Sequence, residues 1–393
     1  MIHEFHVQNY KALRDVKLKL TPMHVLIGPN DSGKTSILEA LGALCRSVEM
    51  PLGEAFQGRW TGRDLVTYGA AEPIVSFEVM TDEFQYSLQV LFHEQQRSVR
   101  THYEQVVFNH ETNEYTSRPH QSHVCQRAGE ASTTSKDVEA IIRRSLGNVH
   151  QYHWKPRSLA LPAAPDQRRQ MRMEHSGFGL VQWLDDIAGS QPSQYLELQE
   201  RLRRVFPNVV KLSLATTHAY RIVKPSADVV EQLTDQDGRG LFFHFKGVEN
   251  AIPASQVSDG LLLVLAYLTI LYSPQPPSVL LLEEPENGIH PERLKEVIAI
   301  LRDLVAEQGH TQVIMTTHSP YLVDLFQPDE VTLCVKDENG DVRVRQFSDI
   351  EKVRKQSKVF TMGEIWTGVG DVDLANDQTA ESASATENEV TTP

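Results

Sequence analysis

Cysteine is scarce in this chain of 393 residues, where Cys45, Cys125 and Cys334 stand far apart and are odd in number. Three isolated cysteines argue against a disulfide framework, and they lack the paired spacing of a structural zinc site. Long apolar runs are also missing: no stretch approaches the roughly 20 apolar residues that a membrane-spanning helix needs. The N-terminus opens with alternating strand-like residues in place of a signal peptide. These absences predict a cytoplasmic protein that does not enter a membrane.

Basic residues are outnumbered, because 38 Lys and Arg face 52 Asp and Glu, which gives a formal net charge of -14. This balance argues against a general basic coat for nucleic acid, although a local basic groove is compatible with it. Hydrophobic residues make up 40% of the chain, enough for the cores of two or three domains of ordinary size. Composition therefore predicts a globular protein and leaves its partner open.

One stretch organises the rest of the chain: residues 25–35 read V-L-I-G-P-N-D-S-G-K-T. They fit the pattern G-x-x-x-x-G-K-[ST] between an apolar run and a helical period. Glycines let backbone N–H groups point at phosphate oxygens, and a helix N-terminus adds partial positive charge. We predict a nucleoside triphosphate site in which Lys34 reaches the β- and γ-phosphates and Thr35 ligates Mg²⁺. The predicted nucleotide-binding residues of this loop are Gly28, Asn30, Ser32, Gly33, Lys34, Thr35 and Ser36.

A second loop, A-S-Q-V-S-D-G at residues 254–260, precedes a long apolar helix over 261–271. Ser258 suits a helix N-cap, Gly260 permits close approach of an anion, and the N-terminus of the helix faces any anion placed before it. Alone this signal is weak, but its place after the first loop strengthens it. We therefore predict that Ser258, Asp259 and Gly260 also bind nucleotide.

Residues 278–284 read S-V-L-L-L-E-E, which predicts a buried parallel strand with two carboxylates at its C-terminal edge. Ligands of open α/β sheets bind at that edge, and alternation along the strand turns the two side chains in different directions. We predict that Glu283 supports Mg²⁺ and that Glu284 polarises the attacking water. An acidic pair that caps the following helix is the alternative. The next predicted strand, 312–316, ends in T-H-S-P, where His318 is placed to contact a γ-phosphate.

The remaining segments predict strands at 1–20 and 74–110 for a β-rich lobe, and helices at 137–146 and 178–206 for a helical lobe. Basic residues gather at 143–144, 155–157, 168–172 and 201–204. They suit either a solvated surface or a nucleic-acid path. From Asp371 onward, which includes a D-x-D at Asp371 and Asp373, the composition predicts a disordered acidic tail. The apolar pair Ile365-Trp366 before it either packs on the domain or docks a partner.

The ordered motifs together resemble ABC-type ATPases outside membrane transport, the group of RecF and SMC heads and of the ATPase halves of OLD nucleases and related phage-defence proteins. Four segments carry the resemblance: G-P-N-D-S-G-K-T at 28–35, V-S-D-G-L at 257–261, L-L-L-E-E-P-E-N-G-I-H-P at 280–291 and T-T-H-S-P at 316–320. Asn9-Tyr10-Lys11 resembles the opening signature of that group. The match covers residues 1 to about 50 and about 250 to 348.

The resemblance implies an α/β fold, an ABC-type P-loop ATPase head with a β-rich lobe and an inserted helical lobe. It implies ATP and Mg²⁺ as cofactors, and a head-to-tail homodimer in which ATP lies between Lys34 of one subunit and Ser258 and Gly260 of the other. Glu284, His318 and Lys34 are then the catalytic residues, and Thr35 and Glu283 hold the metal. The implied division is 1–120 and 209–358 for the two halves of the head, 121–208 for the inserted loop and helical lobe, and 359–393 for the apolar patch and tail.

Two departures from the family matter. A glutamine that contacts Mg²⁺ and the attacking water has no clear place, and Gln151, Gln182 and Gln256 are the candidates. OLD proteins carry a metal-dependent TOPRIM nuclease domain after the ATPase. In this sequence the residues after His318 are too few for a domain of that kind. We therefore expect an ATPase that controls a separate effector, a nuclease by this resemblance, in phage defence. A DNA-binding ATPase of repair or replication is the alternative, and a transporter motor is disfavoured by the motifs.

Overall fold

The computed structural model describes residues 1–57, 62–92, 99–108, 111–115, 120–126, 135–165, 172–223 and 230–377. The chain divides into two compact units, and each is described by itself. Unit 1 comprises Met1–Val149, Ser278–Leu281 and His310–Pro393. Unit 2 comprises His150–Pro277 and Leu282–Gly309. The four-part division predicted from the sequence uses mostly continuous segments, whereas the two compact units combine segments that are distant along the chain. The four-part division stays a prediction.

In the described ranges, strands and helices mostly occur in runs, and single strands alternate with single helices over residues 259–336. The strands are β1 (Ile2–Tyr10), β2 (Leu13–Lys19), β3 (Met23–Ile27), β4 (Ile74–Thr81), β5 (Phe84–Phe92), β6 (Val99–Phe108), β7 (Glu111–Tyr115), β8 (Val149–Tyr152), β9 (Val209–Val223), β10 (Val230–Phe245), β11 (Ile252–Pro253), β12 (Val279–Glu283), β13 (Gln312–Thr316), β14 (Val331–Lys336) and β15 (Val342–Gln346). The helices are α1 (Lys34–Ser47), α2 (Leu52–Ala55), α3 (His123–Gln126), α4 (Ser135–Leu146), α5 (Pro156–Ala160), α6 (Leu180–Ser190), α7 (Pro192–Val205), α8 (Asp259–Leu271), α9 (Pro291–Gln308), α10 (Pro320–Val323), α11 (Glu351–Gln356), α12 (Met362–Val369) and α13 (Asp371–Ala375). Within these described ranges, no helix is both long and apolar enough to cross a membrane.

The β-rich lobe of unit 1 is an antiparallel sheet in the order β2-β1-β4-β5-β6-β7. Its register places Val7 of β1 opposite both Val16 of β2 and Phe77 of β4, and all three side chains are buried. Alternating apolar residues therefore build one buried face, as the period of two requires. This face joins α1 in a single hydrophobic core.

The second sheet has the order β15-β14-β3-β13-β12-β8. β3 is parallel to both β13 and β14, and every residue of β3 and of β13 is buried. Strands that are buried on both faces in this way are typical of parallel sheets covered on both sides. Only the first residues of β12 and the first residue of β8 belong to unit 1; both strands end in unit 2. The mixed α/β architecture confirms the predicted fold class.

Unit 2 is organised around α8, which is buried along its whole length from Leu261 to Leu271. A helix that is apolar on all sides must be surrounded by protein, and α8 packs against α5, α6, α7 and α9. The unit also holds the sheet β11-β10-β9. β9 is one continuous strand, because its pairing with β10 continues through residues 215–218.

The C-terminal segment of unit 1 is ordered further than its composition predicts. Ile365 and Trp366 of α12 are buried, so the hypothesis of an exposed docking peptide there was wrong. The indole Nε1 of Trp366 donates to Asp371 at 2.7 Å, and α13 follows with Leu374 buried. Arg345 also donates to the carbonyl of Ala375 at 3.0 Å. Disorder from Asp371 was therefore wrong as far as residue 377, and residues 378–393 lie outside the described part.

Candidate functional site

The phosphate loop of unit 1 connects β3 to α1 and leaves no room for side chains at its two glycines. Gly28 has φ 135°, and a Cβ there would lie 2.0 Å from the carbonyl oxygen of Cys334. Gly33 has φ 89°, and a Cβ there would lie 2.6 Å from Cγ2 of Val342. Both positions also require the left-handed backbone that glycine adopts without strain. Glycine is therefore needed at both ends of the loop, as the motif predicts.

Lys34 begins α1 and is only 6% exposed. Its ammonium donates to the carbonyls of Gly28 at 2.9 Å and Pro29 at 2.7 Å, and to Oγ of Ser32 at 3.3 Å. The charge is thus enclosed by the loop itself. Asn30 and Thr35 are exposed and Ser36 is partly exposed. A polyphosphate that binds this loop would therefore meet one central cation, exposed hydroxyls and the N-terminus of α1.

His318 lies beside this loop in unit 1. Thr316 of β13 pairs with Leu26 of β3, and the backbone N–H of Thr317 donates to the carbonyl of Leu26 at 3.1 Å. His318 follows directly and is exposed. The parallel strands β3 and β13 therefore bring His318 to the same sheet edge as the phosphate loop, where ligands of α/β sheets bind.

In unit 2, Glu283 ends β12 with a side chain that is 10% exposed. Its Oε1 accepts a hydrogen bond from Nε2 of Gln151 at 3.3 Å, and its Oε2 lies 3.9 Å from Nδ1 of His153. Of the other two candidate glutamines, Gln182 donates to the carbonyl of Ala164 and Gln256 is exposed before α8. Gln151 is therefore the candidate that contacts the predicted metal-supporting carboxylate.

Glu284 follows in the left-handed region, with φ 48°. Non-glycine residues adopt this conformation rarely, so the turn after β12 directs Glu284 away from the strand. Its Oε2 accepts from Nδ2 of Asn287. The alternative of a helix-capping acidic pair was wrong, because α9 begins at Pro291 and its N-cap is His290, whose ring accepts from the backbone of Glu292.

The turn that carries Glu284 contacts a buried tyrosine of α8. The hydroxyl of Tyr267 donates to the carbonyl oxygen of Pro285 at 3.4 Å. Burial raises the pKa of Tyr267 far above its ordinary value, so the hydroxyl keeps its proton. The Tyr267 ring lies 4.6 Å from that of Trp154, which lies 5.1 Å from that of Tyr152. These three rings line a small cavity together with Glu283 and Glu284.

The second loop of unit 2 is exposed where the motif predicts nucleotide contacts. Ser258 is the N-cap residue of α8, but its side chain makes no capping hydrogen bond. Ser258 and Asp259 are exposed, and the carbonyl of Gly288 lies 3.6 Å from the position of a Cβ on Gly260. Unit 2 thus brings Ser258, Asp259 and Gly260 near the turn that follows Glu284.

Sequence reasoning missed Tyr267, His153 and Asn287. Tyr267 carried a signal, because it is one of the few polar side chains in the otherwise apolar run of α8. Asn287 lies inside the motif E-P-E-N-G, whereas nothing in the sequence distinguishes His153.

The basic clusters are mostly paired within their own units. Arg143 donates to the carbonyl of Val124, Arg144 lies 3.7 Å from Glu83, and Arg201 pairs with Asp303. Lys155, Arg157 and Arg204 are exposed. Of the cluster at 168–172, only Arg172 lies in the described ranges.

Several known proteins and family models are similar to this chain. A family model described as "AAA domain, putative AbiEii toxin, Type IV TA system" matches residues 157–324, and one described as "AAA ATPase domain" matches residues 1–67. A protein described as an OLD nuclease, from Thermus scotoductus, is 22% identical over an alignment of 397 positions that covers 91% of this chain and 67% of that protein.

Among solved structures, an SMC head bound to the C-winged helix domain of ScpA superposes with a TM-score of 0.50 at 12% identity, over 88% of this chain and 97% of that chain. At this identity the likeness shows the fold alone. The first family match contains both carboxylates and His318, and the second contains the phosphate loop. The chain therefore matches ATPase domain models over both of these parts, shares the fold of an SMC head, and is similar in sequence to a protein described as an OLD nuclease.

Proposed function

We propose that this ATPase binds Mg²⁺-ATP through the loop from Gly28 to Ser36, hydrolyses it in a head-to-tail dimer, and thereby controls a separate effector protein. The observation that carries the nucleotide assignment is the enclosure of the Lys34 ammonium by the carbonyls of Gly28 and Pro29. A buried cation within a glycine-bounded loop at a helix N-terminus is a ready anion site.

The residues present fit both cofactors. A Cβ on Gly28 or Gly33 would collide with Cys334 or Val342, so both positions keep the bare backbone that a phosphate cradle uses. Mg²⁺ prefers oxygen ligands, and the exposed hydroxyl of Thr35 and the carboxylate of Glu283 are of that kind. Each of these oxygens is of the type that suits a Mg²⁺ ion bound together with ATP phosphates.

Hydrolysis is assigned to Glu284 as the residue that polarises water, with Lys34 and His318 on the γ-phosphate. The carboxylate of Glu284 is held by Asn287, and its turn is held by Tyr267. Gln151, hydrogen-bonded to Glu283, takes the place of the glutamine that this family uses beside Mg²⁺. Positioned groups of this kind supply acid–base and electrostatic catalysis without rearrangement.

Dimerisation is supported by the exposure of Ser258 and Asp259 at the N-terminus of α8. The Ser258 side chain makes no capping bond there, so its hydroxyl is available to a phosphate of ATP held by a second copy. The N-terminal dipole of α8 would favour the same anion. ATP is then shared between Lys34 of one subunit and Ser258 and Gly260 of the other.

Calorimetry with a non-hydrolysable ATP analogue tests the nucleotide site. The Lys34→Ala variant should lose at least about tenfold in affinity because it removes the central cation. Lys19→Ala, at an exposed position of β2, is the matched control and should bind like the wild type. Normal binding by Lys34→Ala would refute the assignment of the loop.

The effector is proposed to be a nuclease of a phage-defence system, because the chain is related to a protein described as an OLD nuclease. Control by nucleotide requires that the effector binds the ATP-closed and open dimers with different affinities. The pair Ile365-Trp366 is buried, so we propose that the effector docks on the described part of the helical region 137–206.

Co-purification tests the effector. Tagged Glu284→Gln and Lys34→Ala variants, expressed with the neighbouring genes, should retain one partner protein in unequal amounts. Equal recovery, or no partner with either variant, would contradict nucleotide-dependent control.

The alternative is a DNA-binding ATPase, which the exposed Lys155, Arg157 and Arg204 favour. The internal pairing of Arg143, Arg144 and Arg201 weighs against it. Its signature would be ATPase stimulation by duplex DNA that falls steeply with salt, since phosphate contacts release counterions.

A further inference from the structure

The hairpin of β14 and β15 forms one wall of the phosphate loop in unit 1. The carbonyl oxygen of Cys334 in β14 packs against Gly28, and the side chain of Val342 in β15 packs against Gly33. Lys336 ends β14, and its Nζ donates to Oδ2 of Asp31 at 2.6 Å. The hairpin therefore contacts the loop at both of its glycines and at the residue near its middle.

Asp31 is an unusual residue for its position. It has φ 64°, a backbone conformation that costs less for glycine. Its side chain is 87% exposed and that of Lys336 is 31% exposed, and ion pairs as exposed as this add little to folding stability. Stability does not explain why a carboxylate is held here.

The electrostatic consequence concerns the nucleotide. Asp31 lies three residues before Lys34, in the loop that surrounds the Lys34 ammonium. A carboxylate in that loop repels a polyphosphate, and Lys336 places a positive charge against it. We propose that Lys336 is a positioning residue that neutralises Asp31, so that the phosphate loop can hold ATP. This inference rests on the proposed function in one respect, that ATP binds the loop.

Coulomb's law gives the size of the effect. An uncompensated carboxylate ~8 Å from phosphates that carry about three negative charges weakens binding in water by roughly fivefold to twentyfold. The effect decreases with added salt, because exposed charges at this distance are screened at about 0.5 M salt.

A double-mutant cycle tests the proposal with ATP itself as the probe. Lys336→Met should raise the Kd and the KM for ATP about tenfold at low salt while kcat stays within about twofold. Asp31→Asn should bind at least as tightly as the wild type. Asp31→Asn combined with Lys336→Met should bind ATP to within about twofold of the wild type, because the double variant removes one charge of each sign and leaves the net charge beside the loop unchanged.

Three outcomes would overturn the proposal: unchanged affinity in Lys336→Met, no rescue in the double variant, or a loss that salt does not reduce. Absence of rescue would mean that Lys336 contacts the nucleotide directly. The Lys34→Ala variant distinguishes failure of the proposed nucleotide site from failure of the proposed role of Lys336. If Lys34→Ala also binds ATP normally, the nucleotide site itself is misplaced, whereas if only Lys336→Met binds normally, the role of Lys336 alone is refuted.

Discussion

Gln151 donates a hydrogen bond from Nε2 to Oε1 of Glu283 across 3.3 Å, which joins the end of β8 to the end of β12 within unit 2. The same carboxylate lies 3.9 Å from Nδ1 of His153 on its other oxygen. An oxygen ligand of a metal is commonly oriented in this way by a neighbouring amide. This hydrogen bond joins Glu283, which is predicted to support Mg²⁺, to Gln151, one of the three candidates for the glutamine that contacts Mg²⁺.

Replacing Gln151 by alanine should lower kcat by about tenfold to a hundredfold, as for other residues that orient metal ligands. The Mg²⁺ concentration needed for half-maximal ATPase rate should rise in parallel. Gln182→Ala is the control, since Gln182 also donates from its side chain but to the carbonyl of Ala164. Equal losses in the two variants would show a general structural effect and would remove Gln151 from the site.

Replacing Glu284 by glutamine should lower kcat by about a hundredfold or more while ATP still binds, because the group that polarises water is lost and the phosphate contacts remain. Steady-state kinetics and calorimetry measure the two effects separately. Glu292→Gln, exposed in the first turn of α9, is the control. A Glu284→Gln enzyme with wild-type turnover would mean that another residue activates the water.

Tyr267→Phe removes the hydroxyl that donates to Pro285 and leaves the ring packing in place. We expect kcat to fall several-fold at unchanged KM because the turn that carries Glu284 loosens, with a stability loss of about 1 kcal/mol. Thr269→Val in the same helix is the control. It removes a hydroxyl that donates to the carbonyl of Leu265, so its loss of stability should equal that of Tyr267→Phe. If both variants lose the same activity, Tyr267 has no separate positioning role.

His24 predicts a pH dependence of stability. Burial lowers its pKa to about 4, from an ordinary value of 6.5. Between pH 4 and pH 6.5, His24 is therefore protonated in the unfolded chain and neutral in the folded chain. The stabilisation is complete above pH 6.5 and is lost as the pH falls toward 4, by about 1.4 kcal/mol per pH unit.

His24→Gln cannot titrate and should reduce the loss of stability between pH 7.5 and pH 5, measured as the urea midpoint. The remaining loss comes from His150, because burial lowers its pKa to about 3. His102→Gln, at an exposed position of β6, should keep the wild-type dependence. An unchanged pH dependence in His24→Gln would show that His24 is not the group responsible.

The fold was predictable where its signals are local. The loop from Gly28 to Thr35 and the run that ends in Glu283 and Glu284 each combine an apolar strand with chemistry at its end, and the structure has β3 and β12 there. At the second of these places the acidic pair does not cap α9, because the N-cap of that helix is His290.

Contacts between distant residues were not predictable from one sequence. Gln151 and Glu283 are 132 residues apart, and Lys336 and Asp31 are 305 apart. Three glutamines looked equivalent because only packing determines which one reaches the carboxylate. The ordering of α13 was missed for a similar reason, since one buried leucine, Leu374, and donors from Arg345 outweigh an acidic composition.

The shared ATP site is tested most directly by mixing two inactive variants. Lys34→Ala destroys the loop of its own subunit, and Ser258→Arg destroys the contact offered to the other subunit. In a twofold dimer each mixed pair keeps one complete site, so co-expression in equal amounts should restore about a quarter of the wild-type ATPase rate. Each variant alone should be inactive. A co-expressed mixture as inactive as its parents, or a Ser258→Arg enzyme with full activity alone, would contradict a site built from two subunits.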